Sequence, residues 1–123
     1  MDWNFRGDAP IYTQLFEQLT LAIVSGAYKP GDRLPAVREL ALDAGVNPNT
    51  VQRALSELER CGLVYTQRTS GRFVTEDAER IERERQRLAE ERARGFLGAM
   101  SDLGYNRIQT VMLLEKMRGE MES

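Results

Sequence analysis

Apolar residues recur at intervals of three and four along the first half of the chain, then alternate, then thin out. Ile11, Leu15, Leu19, Ala22 and Ile23 form one stripe and predict a helix that starts at Pro10 and stops at Gly26. Ahead of it, Trp3 and Phe5 alternate with polar residues, which predicts a short strand over residues 2–6. Lys29-Pro30-Gly31-Asp32 is a turn signal. Val37, Leu40 and Ala41 give a second, short helix from about Ala36 to Asp43, entered after Pro35 and closed at Ala44-Gly45. Asn47 is a strong helix cap, and Pro48 fits the first helical position of a third helix that runs to about Arg60. Val51, Ala54, Leu55 and Leu58 face inward there, which leaves Asn49, Thr50, Gln52, Arg53 and Ser56 outside the stripe. After Gly62, Leu63–Thr66 and Arg72–Thr75 read as two strands, with Gln67 to Gly71 as the hairpin tip.

Residues 76–123 follow another pattern. Glu and Arg dominate from Glu76 to Met100, and pairs such as Glu79–Arg83 and Glu90–Arg94 suit a solvated helix. Gly104 breaks it, and Asn106 with Gln109 three residues on resembles a capping box. The final helix carries Ile108, Val111, Met112 and Leu114, extended by Met117 and Met121, with Leu113 widening its stripe. The predicted fold class is therefore α+β, mainly α. Residues 1–75 form a winged helix-turn-helix domain, and residues 76–123 form a short two-helix C-terminal segment.

Composition narrows the function. With 123 residues the chain is one domain, or a small domain with an appendage. No run of about eighteen apolar residues exists, and the polar, mixed-charge first residues do not read as a secretory signal, so a cytoplasmic protein is expected. Cys61 is the single cysteine, which excludes an internal disulfide, and it reads as a small space-filler at the end of the third helix. There is no histidine, which removes the commonest general base and metal ligand. No phosphate-binding glycine loop is present either, and no enzyme, cofactor or metal is expected.

Charge distribution points to nucleic acid. The net charge is −2, yet residues 29–74 carry 7 basic and 5 acidic residues. The outward face of the third helix offers Asn49, Thr50, Gln52 and Arg53 to a major groove about 12 Å wide. Asn and Gln can read adenine through two hydrogen bonds, and Arg reads guanine or holds phosphate. Arg38, near the start of the second helix, reaches a backbone phosphate or a base at the groove edge, and Arg68 and Arg72 flank a tip that enters the adjacent minor groove. Plainer readings stand beside these. Asn47 is explained by capping alone, Thr50 by completing the helix start, and Asn49 and Gln52 by solvation. Arg38 is also able simply to pair with a nearby carboxylate, Arg72 is also a plain wing-surface charge, and Gly71 allows a positive φ in the tip. A winged helix used as a protein-interaction module is the competing class.

Pro10-Ile11-Tyr12-x-Gln14-Leu15, the turn Lys29 to Pro35, Val37-Arg38-Glu39-Leu40-Ala41 and Gly45-Val46-Asn47-Pro48-Asn49-Thr50-Val51, followed by Ala54-Leu55-x-x-Leu58-x-x-x-Gly62-Leu63-Val64, resemble GntR-family bacterial transcription regulators. The resemblance covers about residues 9–75. The Asn-Pro-Asn-Thr turn and the short tail are similar to the YtrA subfamily, in which two helices after the winged domain dimerise without a large effector domain.

The resemblance implies DNA contacts by Arg38, Asn47, Asn49 and Thr50, to which Gln52, Arg53, Arg68, Ser70, Gly71 and Arg72 are added as candidates. Many members carry Arg in place of Pro48 and of Gln52, so their base preference does not transfer, and Thr69-Ser70-Gly71 departs from the family's Gly-x-Gly wing.

The expected partners are double-stranded DNA, as an inverted-repeat operator, and a second copy of the chain. One winged domain contacts few phosphates and binds weakly, whereas a two-fold dimer doubles the contacts. Phe96, Leu97, Met100, Leu103, Ile108, Val111, Met112 and Leu114 are the expected dimer interface. A drug-sized pocket needs roughly 300 Å³. The tail is too short to enclose that within a protomer, which leaves the dimer interface as the place for an unidentified small-molecule effector. Repression is a family-level expectation.

Overall fold

The computed structural model describes residues 1–120, so Met121 lies outside the described residues. The described elements are α1 (Ile11–Val24), α2 (Val37–Ala44), α3 (Pro48–Arg60), β1 (Val64–Gln67), β2 (Gly71–Val74), α4 (Ala78–Asp102) and α5 (Arg107–Lys116), followed by a 3-10 turn, Arg118–Glu120. Helices and a two-stranded antiparallel sheet in this order make a winged helix-turn-helix with two C-terminal helices. The chain divides into two compact units, residues 1–85 and 86–123. The first unit reaches about ten residues past the expected boundary at 75, because Ile81 of α4 packs against the winged-domain core.

Three helices of the first unit enclose one core. Leu15, Leu19 and Ile23 of α1 meet Leu40 and Ala41 of α2 and Val51, Ala54, Leu55 and Leu58 of α3. The four α3 residues are fully buried, as their spacing of three and four requires when one helix face is packed. Leu63, Val64 and Val74 close the core from the wing. Cys61 differs from its expected space-filling role. It is exposed at the C-terminal end of α3, where its thiol donates to the Leu58 carbonyl at 3.3 Å.

The strand expected over residues 2–6 does not form, although the segment alternates as predicted. Trp3 and Phe5 stack, with ring centroids 6.0 Å apart, and pack against the core. The backbone between and beyond them pairs with side chains rather than with another strand. The Gln14 amide accepts from Arg6 N at 2.6 Å and donates to Arg6 O at 2.8 Å. Gln18, one turn further along α1, repeats the pattern on Asn4, accepting at 3.4 Å and donating at 2.8 Å. The Trp3 indole N–H reaches Asp43 at 2.8 Å, so the arm spans α1 and α2.

Gln14 is only 1% exposed and also donates to Ala9 O. Removing its amide deprives partly buried backbone groups of Arg6 and Ala9 of this partner, which costs about 1 kcal/mol. Gln14→Leu is therefore expected to lower the thermal midpoint by several degrees, roughly 4–8 °C per kcal/mol for a domain of this size. An unchanged midpoint in a calorimetric scan counts against the clamp.

In the second unit the capping box forms as expected: Asn106 Oδ1 accepts from Gln109 N at 2.8 Å, and Gln109 Oε1 accepts from Asn106 N at 2.9 Å. The ion pairs on α4 differ from those expected and include Arg85–Glu82 and Arg87–Glu91. Burial on α5 runs opposite to polarity. Thr110 is buried, its hydroxyl bonded to the Asn106 carbonyl, while Ile108 and Met112 are 71% and 63% exposed.

Candidate nucleic-acid interface

The turn between α2 and α3 spans Gly45, Val46 and Asn47. Gly45 takes φ +69°, a left-handed conformation that favours glycine, and ends α2. Val46 N returns to the Ala41 carbonyl at 3.0 Å. Asn47 then caps α3, its side-chain oxygen accepting from Asn49 N at 2.8 Å. The Asn47 side chain is therefore engaged in starting the helix.

Beyond the cap, Asn49, Gln52 and Arg53 are exposed and Thr50 is half-buried. Arg53 extends back over Tyr12 of α1, its guanidinium carbon 3.6 Å from the ring centroid. Ile11, Tyr12, Asn49, Thr50 and Arg53 line one open cleft of about 290 Å³. Arg38 is exposed on the first turn of α2 and, among the described residues, makes no ion pair.

The wing is held on two sides. Its strands pair Val64 with Val74, Tyr65 with Phe73, Thr66 with Arg72 and Gln67 with Gly71. Along the free edge of β2, Gly31 N bonds Val74 O at 3.0 Å, Val74 N bonds Asp32 O at 2.8 Å, and Leu34 N bonds Arg72 O at 2.8 Å. Arg68 and Ser70 are exposed in the tip. Gly71 has φ +106°, which favours glycine, and a Cβ there would come 3.2 Å from the Arg33 Nε, so that side chain would have to shift slightly.

Arg72, an expected flank of the tip, stands on β2 with its side chain 21% exposed, and its Nε donates to Glu59 of α3 at 2.6 Å. Thr66 donates to the same carboxylate oxygen, also at 2.6 Å. Hydrogen bonds from Thr66, then from Arg72, hold the Glu59 carboxyl below the usual carboxylate range.

Two side chains beside this surface were not anticipated, Tyr12 and Arg33. Tyr12 sits on the first turn of α1 and meets Arg53 only through the packing of α1 on α3. Arg33 is exposed, pairs its backbone with Phe73, and lies against Gly71. Both lie in stretches that read simply as a helix start and a turn.

The eight expected interface positions are largely uncovered. Phe96, Leu103, Ile108, Val111, Met112 and Leu114 are exposed, and Leu97 and Met100 are partly so.

The family model described as "Bacterial regulatory proteins, gntR family" matches residues 11–74, the span that holds α1, the helix-turn-helix and the wing. This chain belongs to the GntR family. Members are DNA-binding transcription regulators, not enzymes. The chain is 43% identical over 104 residues to the HTH-type transcriptional regulator YhcF of Bacillus subtilis, covering 85% of this chain and 86% of YhcF. It is 47% identical over 73 residues to the transcriptional repressor YtrA of the same organism, covering 59% of this chain and 56% of YtrA. Among solved structures, a GntR-family regulator from Listeria monocytogenes superposes with a TM-score of 0.85 at 40% identity, over 91% of this chain and 98% of that one. The DNA-binding domain of AraR, solved in complex with its operator, superposes with a TM-score of 0.55 at 30% identity, over 58% of this chain and 93% of that one. No helix among the described residues is long and apolar enough to cross a membrane.

Proposed function

We propose that this GntR-family chain is a cytoplasmic bacterial repressor that binds an inverted-repeat operator as a homodimer. The observation that carries the reading is the exposed N-terminal face of α3. Asn49, Gln52 and Arg53 face solvent there, and the opposite face of the same helix is fully buried. In a major groove, Asn49 and Gln52 read base edges, and Thr50 and Arg53 contact base or phosphate. Arg38 takes a phosphate beside them. Arg68, Ser70 and Gly71 carry the wing tip into the adjacent minor groove. Asn47 starts the helix and brings its own position close to the backbone.

Dimerisation is supported by the apolar residues that α4 and α5 leave exposed, which need a partner surface. A two-fold dimer presents two winged domains to two half-sites, and their separation sets the operator spacing. A small-molecule effector acting at that interface would change this separation.

Selection of genomic DNA fragments by the purified chain at physiological salt tests the reading. An enriched inverted repeat is the expected outcome. No enriched sequence leaves two readings, a required effector or a winged domain that binds protein instead.

A further inference from the structure

We infer that Glu59 is a positioning residue that sets the wing against the recognition helix, and that Arg72 serves this clamp rather than the DNA. The inference rests on the proposed reading that the wing enters a groove. Its basis is a three-residue junction between α3, β1 and β2. Thr66 and Arg72 are directly paired across the hairpin, so their side chains stand on one face of the ribbon. Both donate to Oε1 of Glu59, each at 2.6 Å. Glu59 lies on the last turn of α3, the helix whose first turn bears Asn49 and Thr50.

One carboxylate oxygen thus fixes both strands of the wing to the helix that reads the groove. A bare hairpin of four-residue strands is a marginal structure and needs outside support to hold one orientation. The opposite edge of β2 is tied by backbone bonds to residues 31–34, so the hairpin is fastened on two sides and its tip alone projects. A carboxylate near DNA repels phosphate unless it is neutralised. Arg72 does this for Glu59, which leaves Arg68, with Arg33 against Gly71 beside it, as exposed cations at the tip.

The test uses the full-length chain and the operator it selects. Affinity is measured across a salt series, with hydroxyl-radical footprints, for the parent and for Glu59→Gln, Arg72→Ala, Thr66→Val, Arg68→Ala and the double variant Glu59→Gln/Arg72→Ala. Thr66→Val removes one donor at nearly constant volume, and thermal midpoints confirm that each variant is folded. Glu59→Gln and Arg72→Ala are expected each to weaken binding about tenfold, the scale of one charge-assisted hydrogen bond. The double variant is expected to be no weaker than the worse single. Protection is lost at the wing's groove and kept at the recognition helix, and the salt slope falls alike in Glu59→Gln and Arg72→Ala as the tip bearing Arg68 disengages.

A salt slope that falls by about one per protomer in Arg72→Ala, with tighter binding by Glu59→Gln, makes Arg72 a phosphate contact and overturns the clamp. Weakening by Arg68→Ala, with none by the Glu59, Thr66 or Arg72 variants, overturns the clamp while the wing reading stands. No wing protection in the parent and no effect of Arg68→Ala overturns both.

Discussion

Ile108→Asp/Met112→Asp is expected to convert the protein to a monomer and to lower operator affinity by about 10²- to 10⁴-fold. Both side chains are more than half exposed in the single chain, so the substitutions remove no intramolecular core. Ile108 lies on the first turn of α5, where a carboxylate is favourable to the helix dipole, so the helix should persist. At a dimer interface the balance reverses. Each apolar side chain contributes roughly 1.5–3 kcal/mol when buried, and an unpaired carboxylate in its place carries a desolvation penalty of several kcal/mol. Once the subunits separate, the second half-site is no longer engaged at the high effective concentration that a tethered domain enjoys, which is the source of the affinity loss. Light scattering at micromolar concentration reads the state directly. A parent that is already monomeric, or a variant that remains a dimer, removes the interface from α4 and α5.

The triple variant Arg38→Ala/Asn49→Ala/Gln52→Ala is expected to retain its fold and to bind the operator only at its non-specific level. All three side chains are exposed, and alanine is the best helix former, so stability should hold or rise slightly. The Asn47 cap survives because it uses the backbone N–H of residue 49. The loss on DNA is large because a dimer presents each substitution twice, and specific binding exceeds non-specific binding by roughly 10³-fold or more. The single variants separate the roles. Arg38→Ala weakens every sequence alike and lowers the salt slope by about one per protomer. Asn49→Ala and Gln52→Ala each cost about 1–3 kcal/mol and relax the preference at one position per half-site. Equal operator binding by the triple variant and the parent refutes the assignment of α3 as the reading helix.

Helix stripes and caps were legible in the sequence, whereas the partners of the N-terminal arm and of the wing's charges were not. The α3 stripe, its Asn47 cap and the Asn106–Gln109 box rest on spacings of three and four, and each formed where the pattern put it. Residues 2–6 alternate like a strand and lie in a strand's company of stacked aromatics, yet they bond to Gln14 and Gln18. Alternation reports which residues face apolar surroundings, not which groups satisfy the backbone between them. Arg72 shows the same limit for charge. A cation beside a hairpin tip reads as a groove contact or a surface charge, and nothing in the spacing shows that Glu59, thirteen residues earlier, lies within hydrogen-bond reach of it.

What the sequence determined by itself was therefore local and periodic. Helix length, cap, turn and hairpin follow from side-chain shape and from the spacing of apolar residues, and together they led to the helix-turn-helix and to the face of α3 that stays outside. Tertiary structure alone decided which charges remain available. Glu59 pairs with Arg72, Tyr12 lies under Arg53, and Arg33 is drawn to the wing, while Arg38 and Arg68 make no ion pair among the described residues. The reason is physical: a hydrogen bond or ion pair depends on an approach of about 3 Å between groups distant along the chain, and no periodicity encodes that approach.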